Sequence, residues 1–120
     1  MITPTIAPFS ARNIGAGKNG GGFKITWASM TENDTAAAWN GGAMFHNKSA
    51  QTQGVTSGDT ILIEGSNDET NYETLTDKQG GDMSFLNVDG MKTIEENARQ
   101  IRPRIEAGTS VSVNIIIVAS

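Results

Sequence analysis

An all-β fold is predicted, a compact antiparallel β-sandwich of jelly-roll type with an extended, glycine-rich N-terminal arm. Three observations predict it. Apolar and polar residues alternate over short runs, as in Phe23-Lys24-Ile25-Thr26-Trp27 and in Val111 to Val118. Clusters of Gly, Asn, Asp and Ser separate these runs at regular spacing. No stretch carries the apolar period of a long amphipathic helix. At 120 residues the chain makes one folded body. It divides into an arm over 1–22 and a sandwich over 23–120.

The arm comes first. Pro4 and Pro8 interrupt any early helix or central strand. Five of the 14 glycines then crowd into residues 15 to 22, a composition that stays flexible unless something orders it. The segment reads as a loop or tail, or as an arm that folds onto a neighbour. On the second reading, Phe9 and Arg12 are its partner-binding candidates.

The body follows as strands. Phe23 to Trp27 puts three large apolar groups on one face. Thr31-Glu32-Asn33-Asp34 is a turn signal. Thr35 to Trp39, with three alanines, suits a single helical turn, which Asn40-Gly41-Gly42 stops. Ala43 to Lys48 fits a short strand with Met44 and His46 on one face. Strands are expected over Gln51 to Thr56 and Thr60 to Glu64, the latter with Ile61 and Ile63 inward. A polar loop runs from Ser66 to Asn71. Shorter strands follow at Tyr72 to Leu75, Met83 to Val88 and Met91 to Glu95. In Arg99 to Glu106, Ile101, Pro103 and Ile105 share one face, and the proline argues for an edge or a bulge. Val111 to Val118 is the strongest strand, with Val111, Val113, Ile115 and Ile117 inward.

Composition excludes several classes. The absence of cysteine rules out a disulfide scaffold and a thiolate metal site. The longest apolar run, Ile115 to Ala119, is too short to cross a bilayer. Residues 1–10 lack the basic start and apolar core of a signal peptide. Net charge is −4 without a Lys/Arg cluster, so neither nucleic acid nor membrane is an expected partner. Hydrophobic residues make up 37%, below the ~45–50% of an average domain. So thin a core suggests support from oligomerisation or from a larger surface.

Chemistry-bearing residues are few. His46 is the only histidine, with no Gly-x-Ser-x-Gly elbow beside it, and reads as a strand or interface residue. Glu95 and Glu96 are adjacent on a strand and face opposite ways. The glycines of 15–22 lack the Gly-Lys-Ser/Thr ending of a phosphate loop. Asn67, Asp68 and Asn71 offer oxygens to a hard cation, yet a chain of Asx turns explains them better. No enzyme activity, cofactor or metal is expected. Arg102 and Arg104 share a strand face with Arg99 across the strand. They either clamp a partner's carboxylates or pair with Glu106 or Glu73. Trp27 reads as core. Trp39 and Tyr72, near loops, are candidates for exposed stacking on a protein or a sugar.

One stretch carries a resemblance. Thr60-Ile-Leu-Ile-Glu-Gly-Ser-Asn-Asp-Glu-Thr-Asn-Tyr-Glu-Thr-Leu-Thr-Asp-Lys-Gln-Gly resembles a group of small proteins encoded in the structural regions of tailed phages and prophages. Their shared pattern is Ile-Glu-Gly-Ser-Asn-Asp-Gly-Thr-Asn-Trp followed by Thr-Leu-Thr-Asp-x-Gln-Gly. Ile94-Glu-Glu-Asn-Ala-Arg-Gln-Ile-Arg-Pro-Arg and the closing strand are also similar, so the resemblance spans roughly residues 50–120. Glu69 stands where the pattern has glycine, and Tyr72 where it has tryptophan. The resemblance implies a non-enzymatic virion structural protein of the capsid cement or decoration type. It would be made in the host bacterial cytoplasm and sit on the capsid surface as a homodimer or homotrimer bound to the major capsid protein. The Ser-Asn-Asp…Asn-Tyr pattern also resembles discoidin-type carbohydrate-binding domains, which are jelly rolls as well. That implies an alternative, a sugar-binding module of a phage tail or adhesion device.

Overall fold

The computed structural model describes residues 1–9 and 22–120. The glycine-rich stretch between them, with Arg12, lies outside the described residues. Among the described residues there are nine strands: β1 (Thr5–Phe9), β2 (Gly22–Met30), β3 (Lys48–Gln53), β4 (Thr60–Ser66), β5 (Glu73–Thr74), β6 (Ser84–Leu86), β7 (Met91–Thr93), β8 (Gln100–Ala107) and β9 (Val113–Ala119). The named pairings are antiparallel.

They form two facing sheets. The first runs β1-β2-β9-β3-β7. In the second, β8 pairs along the whole of β4, so β5 and β6 share β4's other side. Trp39 and Ile101 exchange both backbone bonds, at 2.8 and 3.0 Å. Trp39 thus acts as a one-residue strand outside β8. With it, the sheets follow β2-β9-β3-β7 and Trp39-β8-β4-(β5, β6), the strand order of a jelly roll. β1 is an added strand on the β2 edge, and Ile2 bridges Ala36.

Proline placement follows from hydrogen bonding. Pro103 faces Ile63 in the β4–β8 register, while Ile63 donates its N–H to Met83 on the opposite side, at 2.9 Å. That pair asks no N–H of the proline, whose nitrogen faces the outer edge.

Three local expectations change. Thr35 to Trp39 forms no helical turn, because Ile2 donates to the Thr35 carbonyl and the Trp27 indole to the Ala37 carbonyl, at 2.7 and 2.8 Å. Those carbonyls are thereby claimed across the fold. Ala43 to Lys48 is no strand; a 3-10 turn over Gly42–Met44 precedes β3, and Met44 and His46 are exposed. Finally, β3 begins at Lys48 and ends at Gln53, before Gly54. That glycine has φ +102°, and a Cβ there would lie 2.6 Å from the Ser112 carbonyl oxygen.

The core lies between the sheets. Ile25, Trp27, Ala50, Val113, Ile115 and Ile117 meet Ile61, Ile63, Met83, Phe85, Ile94 and Ile101, all nearly or fully buried. Phe23, Phe45 and Trp39 close one end, with ring centroids 5.6 and 6.0 Å apart. Lys48 lies beneath them, only 1% exposed. Its Nζ donates to the Phe45 carbonyl and, at 2.8 Å, to Asn97 Oδ1. No carboxylate lies within ion-pair distance among the described residues. Burial, and secondarily Lys78, pushes the Lys48 pKa down.

Carboxylates hold the loops. Glu32 accepts the N–H groups of Ser110 and Val111 at 2.7 and 2.9 Å. Asp34 takes Thr31, Asp59 takes Thr56, Asp89 takes Gly54 and Val55, and Glu96 takes Thr76. Asp68 accepts from Thr70 and Asn71, and Asp77 from Gln79 and Gly81. These bonds favour the ionised form. They hold four of the acids below the usual carboxylate range. The leading donor is the backbone N–H of Glu32 itself for Glu32, of Thr31 for Asp34, of Asn71 for Asp68 and of Gly81 for Asp77.

Two pH effects are expected. A carboxylate with a depressed folded pKa gives stability that is complete above the unfolded value and lost as pH falls through the folded one. Acid unfolding should therefore track these four groups, and Glu32→Gln should flatten the acid limb of stability against pH. Lys48 acts at the alkaline end. Between its folded pKa and the ordinary lysine value only the unfolded chain holds the proton, so stability rises with pH there. Denaturant titrations should show that rise in the natural chain and not in Lys48→Met.

Candidate functional site

The outer face of the second sheet carries the strongest cluster of charge. Along β4, Ile61 and Ile63 face the core, so Leu62, Glu64 and Ser66 face outward. The register sets Glu64 opposite Arg102 and Leu62 opposite Arg104. Arg102 Nε donates to Glu64 Oε1 at 2.7 Å, and Arg104 Nε donates to Oε2 at 3.1 Å. One buried carboxylate thus holds both guanidinium groups. Arg102 also lies over the Tyr72 ring, its Cζ 3.5 Å from the centroid. Arg104 Nη2 reaches Glu106 at 3.9 Å. A small hollow of about 90 Å³ beside them is lined in part by Met30, Asp34, Ala36 and Pro103.

The arginines therefore clamp a carboxylate of their own chain. The acid is Glu64, joined weakly by Glu106; Glu73 makes no ion pair among the described residues. Arg99 stands apart at the start of β8, its Nη2 3.5 Å from Glu69, with both side chains exposed. Trp39 is not an exposed stacking group: it is 5% exposed and packs against Phe45. Tyr72 is half-buried under Arg102. Phe9 pairs with Gly22 at the end of β1. Arg12 lies outside the described residues. The structure thus brings Arg102, Arg104 and Tyr72 together around a residue that sequence reasoning passed over. The available signal was an acid on the outward parity of β4, but only the register shows which strand faces it.

The loop after β4 is a chain of capped turns. Ser66 Oγ donates to Asp68 Oδ1 at 2.8 Å. The backbone N–H groups of Thr70 and Asn71 donate to the same oxygen, and Asn71 Nδ2 donates to Oδ2. Asn67 Oδ1 accepts the Arg99 N–H at 2.9 Å, which ties the loop to β8. Gly65 leaves no room for a side chain, since a Cβ there would meet Ala98 Cβ at 2.7 Å and Leu75 Cδ2 at 2.9 Å. Glu69 has φ +67°, the left-handed region that glycine enters freely. Among the described residues no three His, Cys, Asp or Glu side chains group as metal ligands.

The opposite outer face is different in kind. On the five-stranded sheet the outward positions include Thr5 and Ala7 on β1; Lys24, Thr26 and Ala28 on β2; and Ser49, Gln51 and Gln53 on β3. Met91 and Thr93 of β7 and Asn114, Ile116 and Val118 of β9 complete it. Lys24 is the one charged residue among these thirteen, in a chain with 22 charged residues.

Comparison with protein-family models, curated proteins and solved structures finds no match to this chain.

Glu64→Ala should be costly, because it strands two guanidiniums that share one acceptor. A loss of about 2–3 kcal/mol is expected, below the ~3–5 kcal/mol for breaking a fully buried pair because both arginines reach solvent. Arg99→Ala, at an exposed pair, should change stability by about 0.5 kcal/mol or less. Urea denaturation of the two variants checks both.

Proposed function

We propose that this protein is a non-enzymatic virion structural protein of the cement or decoration type, bound to the outside of a tailed-phage head. The observation that carries this reading is the nearly uncharged outer face of the five-stranded sheet. Interface cores are depleted of charge relative to ordinary surface. A rigid sandwich with one such face suits a protein that works by contact.

The resemblance over residues 60–80 supports the same reading. Its pattern residues have jobs in this fold: Gly65 admits a close approach, Asp68 and Asp77 cap turns, and Leu75 is core. Glu69 adopts a glycine-like φ where the phage pattern has glycine. The arginine pair contributes less than its spacing suggested, since Glu64 already occupies both groups. The sugar-binding alternative loses its two ring candidates, as Trp39 is core and a face of Tyr72 is covered by Arg102.

Co-sedimentation with heads of the phage or prophage that encodes the chain tests the proposal. The protein is expected to travel with intact heads at a fixed ratio per capsid subunit and to raise their resistance to heat. Protein that stays in the supernatant at all ratios would refute the role.

A further inference from the structure

The nearly uncharged face poses a question of occupancy. Each molecule carries a net charge of −4. Two copies of one acidic protein approach best across a surface with little charge. Lys24 is the one charged residue among the thirteen outward positions, with Lys78 beside Thr93 at the β7 edge.

The polar groups on the face suit self-pairing. Gln51, Gln53 and Asn114 each carry a donor and an acceptor, and the hydroxyls of Thr26 and Ser49 can do both. A two-fold axis therefore sets no donor against donor by necessity, whereas it sets like charges near like. Ile116 and Val118 lie on β9, the middle strand of the five, and Val118 is 39% exposed. They put apolar contact at the centre of the face and polar groups around it, the arrangement of a protein interface.

We infer that this face packs against the same face of a second copy, forming a two-fold dimer with β9 at its centre. The inference rests on the contact role proposed above and names the partner of that surface. Five strands ~4.8 Å apart and about five residues long give a face of roughly 400 Å². That is half the ~800 Å² per partner of a standard stable interface. The dimer is accordingly weak and concentration-dependent. Raising salt strengthens it, by screening the repulsion of two acidic bodies while breaking no ion pair.

Sedimentation velocity on the full chain, from micromolar to about millimolar and at low and high salt, tests this. The average mass is expected to climb from 12.7 kDa toward twice that value, further at high salt. Val118→Lys should hold the mass at the monomer, with a melting temperature lowered only modestly by the like charge of Lys24 opposite it. Leu86→Lys, at an exposed apolar residue of the other sheet, should associate like the natural chain. A natural chain that stays monomeric throughout overturns the inference. So does a Val118→Lys variant that associates normally, or a Leu86→Lys variant that fails equally. Head binding separates the two proposals. Head binding lost in Val118→Lys, without any self-association, gives the face to the shell and overturns the dimer alone. Self-association lost in Val118→Lys, without any head binding, leaves the dimer standing and removes the cement role.

Discussion

The fold depends on finding an acceptor for each backbone N–H that the strands do not satisfy. A buried or half-buried N–H without a partner costs as much as a lost hydrogen bond. A sandwich of short strands has many such groups, because much of its chain is turn. Carboxylates meet this demand here. Seven of the thirteen acids, Glu32, Asp34, Asp59, Asp68, Asp77, Asp89 and Glu96, accept at least one backbone N–H. Several join distant elements, as Glu32 does across 78 residues to Ser110. The acidic composition is thus largely internal scaffolding.

That use of charge shapes both surfaces. Acids committed to turns lie around the rims of the sandwich. The second sheet's outer face takes Glu64, Arg102, Arg104 and Glu106, bound to one another. The first sheet's outer face is left nearly neutral. A solvated sheet face usually stays soluble and unpaired by carrying charge. This one carries hydroxyls, amides and methyl groups, which tolerate water and also tolerate another protein. The low charge is what the proposed contact role rests on. The arginines looked better suited to contact in the linear sequence, but they are held at home.

Periodicity made most of the fold legible. The inward sets Ile61/Ile63, Ile101/Pro103 and Val113/Ile115/Ile117 follow from alternation, because a two-residue period decides the face once a strand is assigned. The edge position of Pro103 followed from its missing N–H. What stayed hidden depends on contacts between distant segments. Trp39 lies among turn residues and reads as exposed, yet two backbone bonds to Ile101 bring it into the core. Lys48 reads as a polar strand end, while its parity with Ala50 and Thr52 sends it inward. Glu64 has no local feature that pairs it with Arg102, 38 residues on.

The same distinction bears on what the stretch from residue 60 to 80 can tell. Gly65 is there because Ala98 and Leu75 leave no space, Asp68 because two N–H groups need an oxygen, and Tyr72 because Arg102 needs a flat neighbour. These are requirements of a strand, a capped loop and a return strand. A sequence that meets them is constrained toward this architecture whatever it binds. The proposed contact face, by contrast, is spread over five strands from Thr5 to Val118, one outward residue at a time. Thr, Ser, Gln, Ala and Val are the residue types least noticed in a linear reading. A function by broad surface contact, as proposed, would leave little trace in a motif, since only the register places those positions side by side.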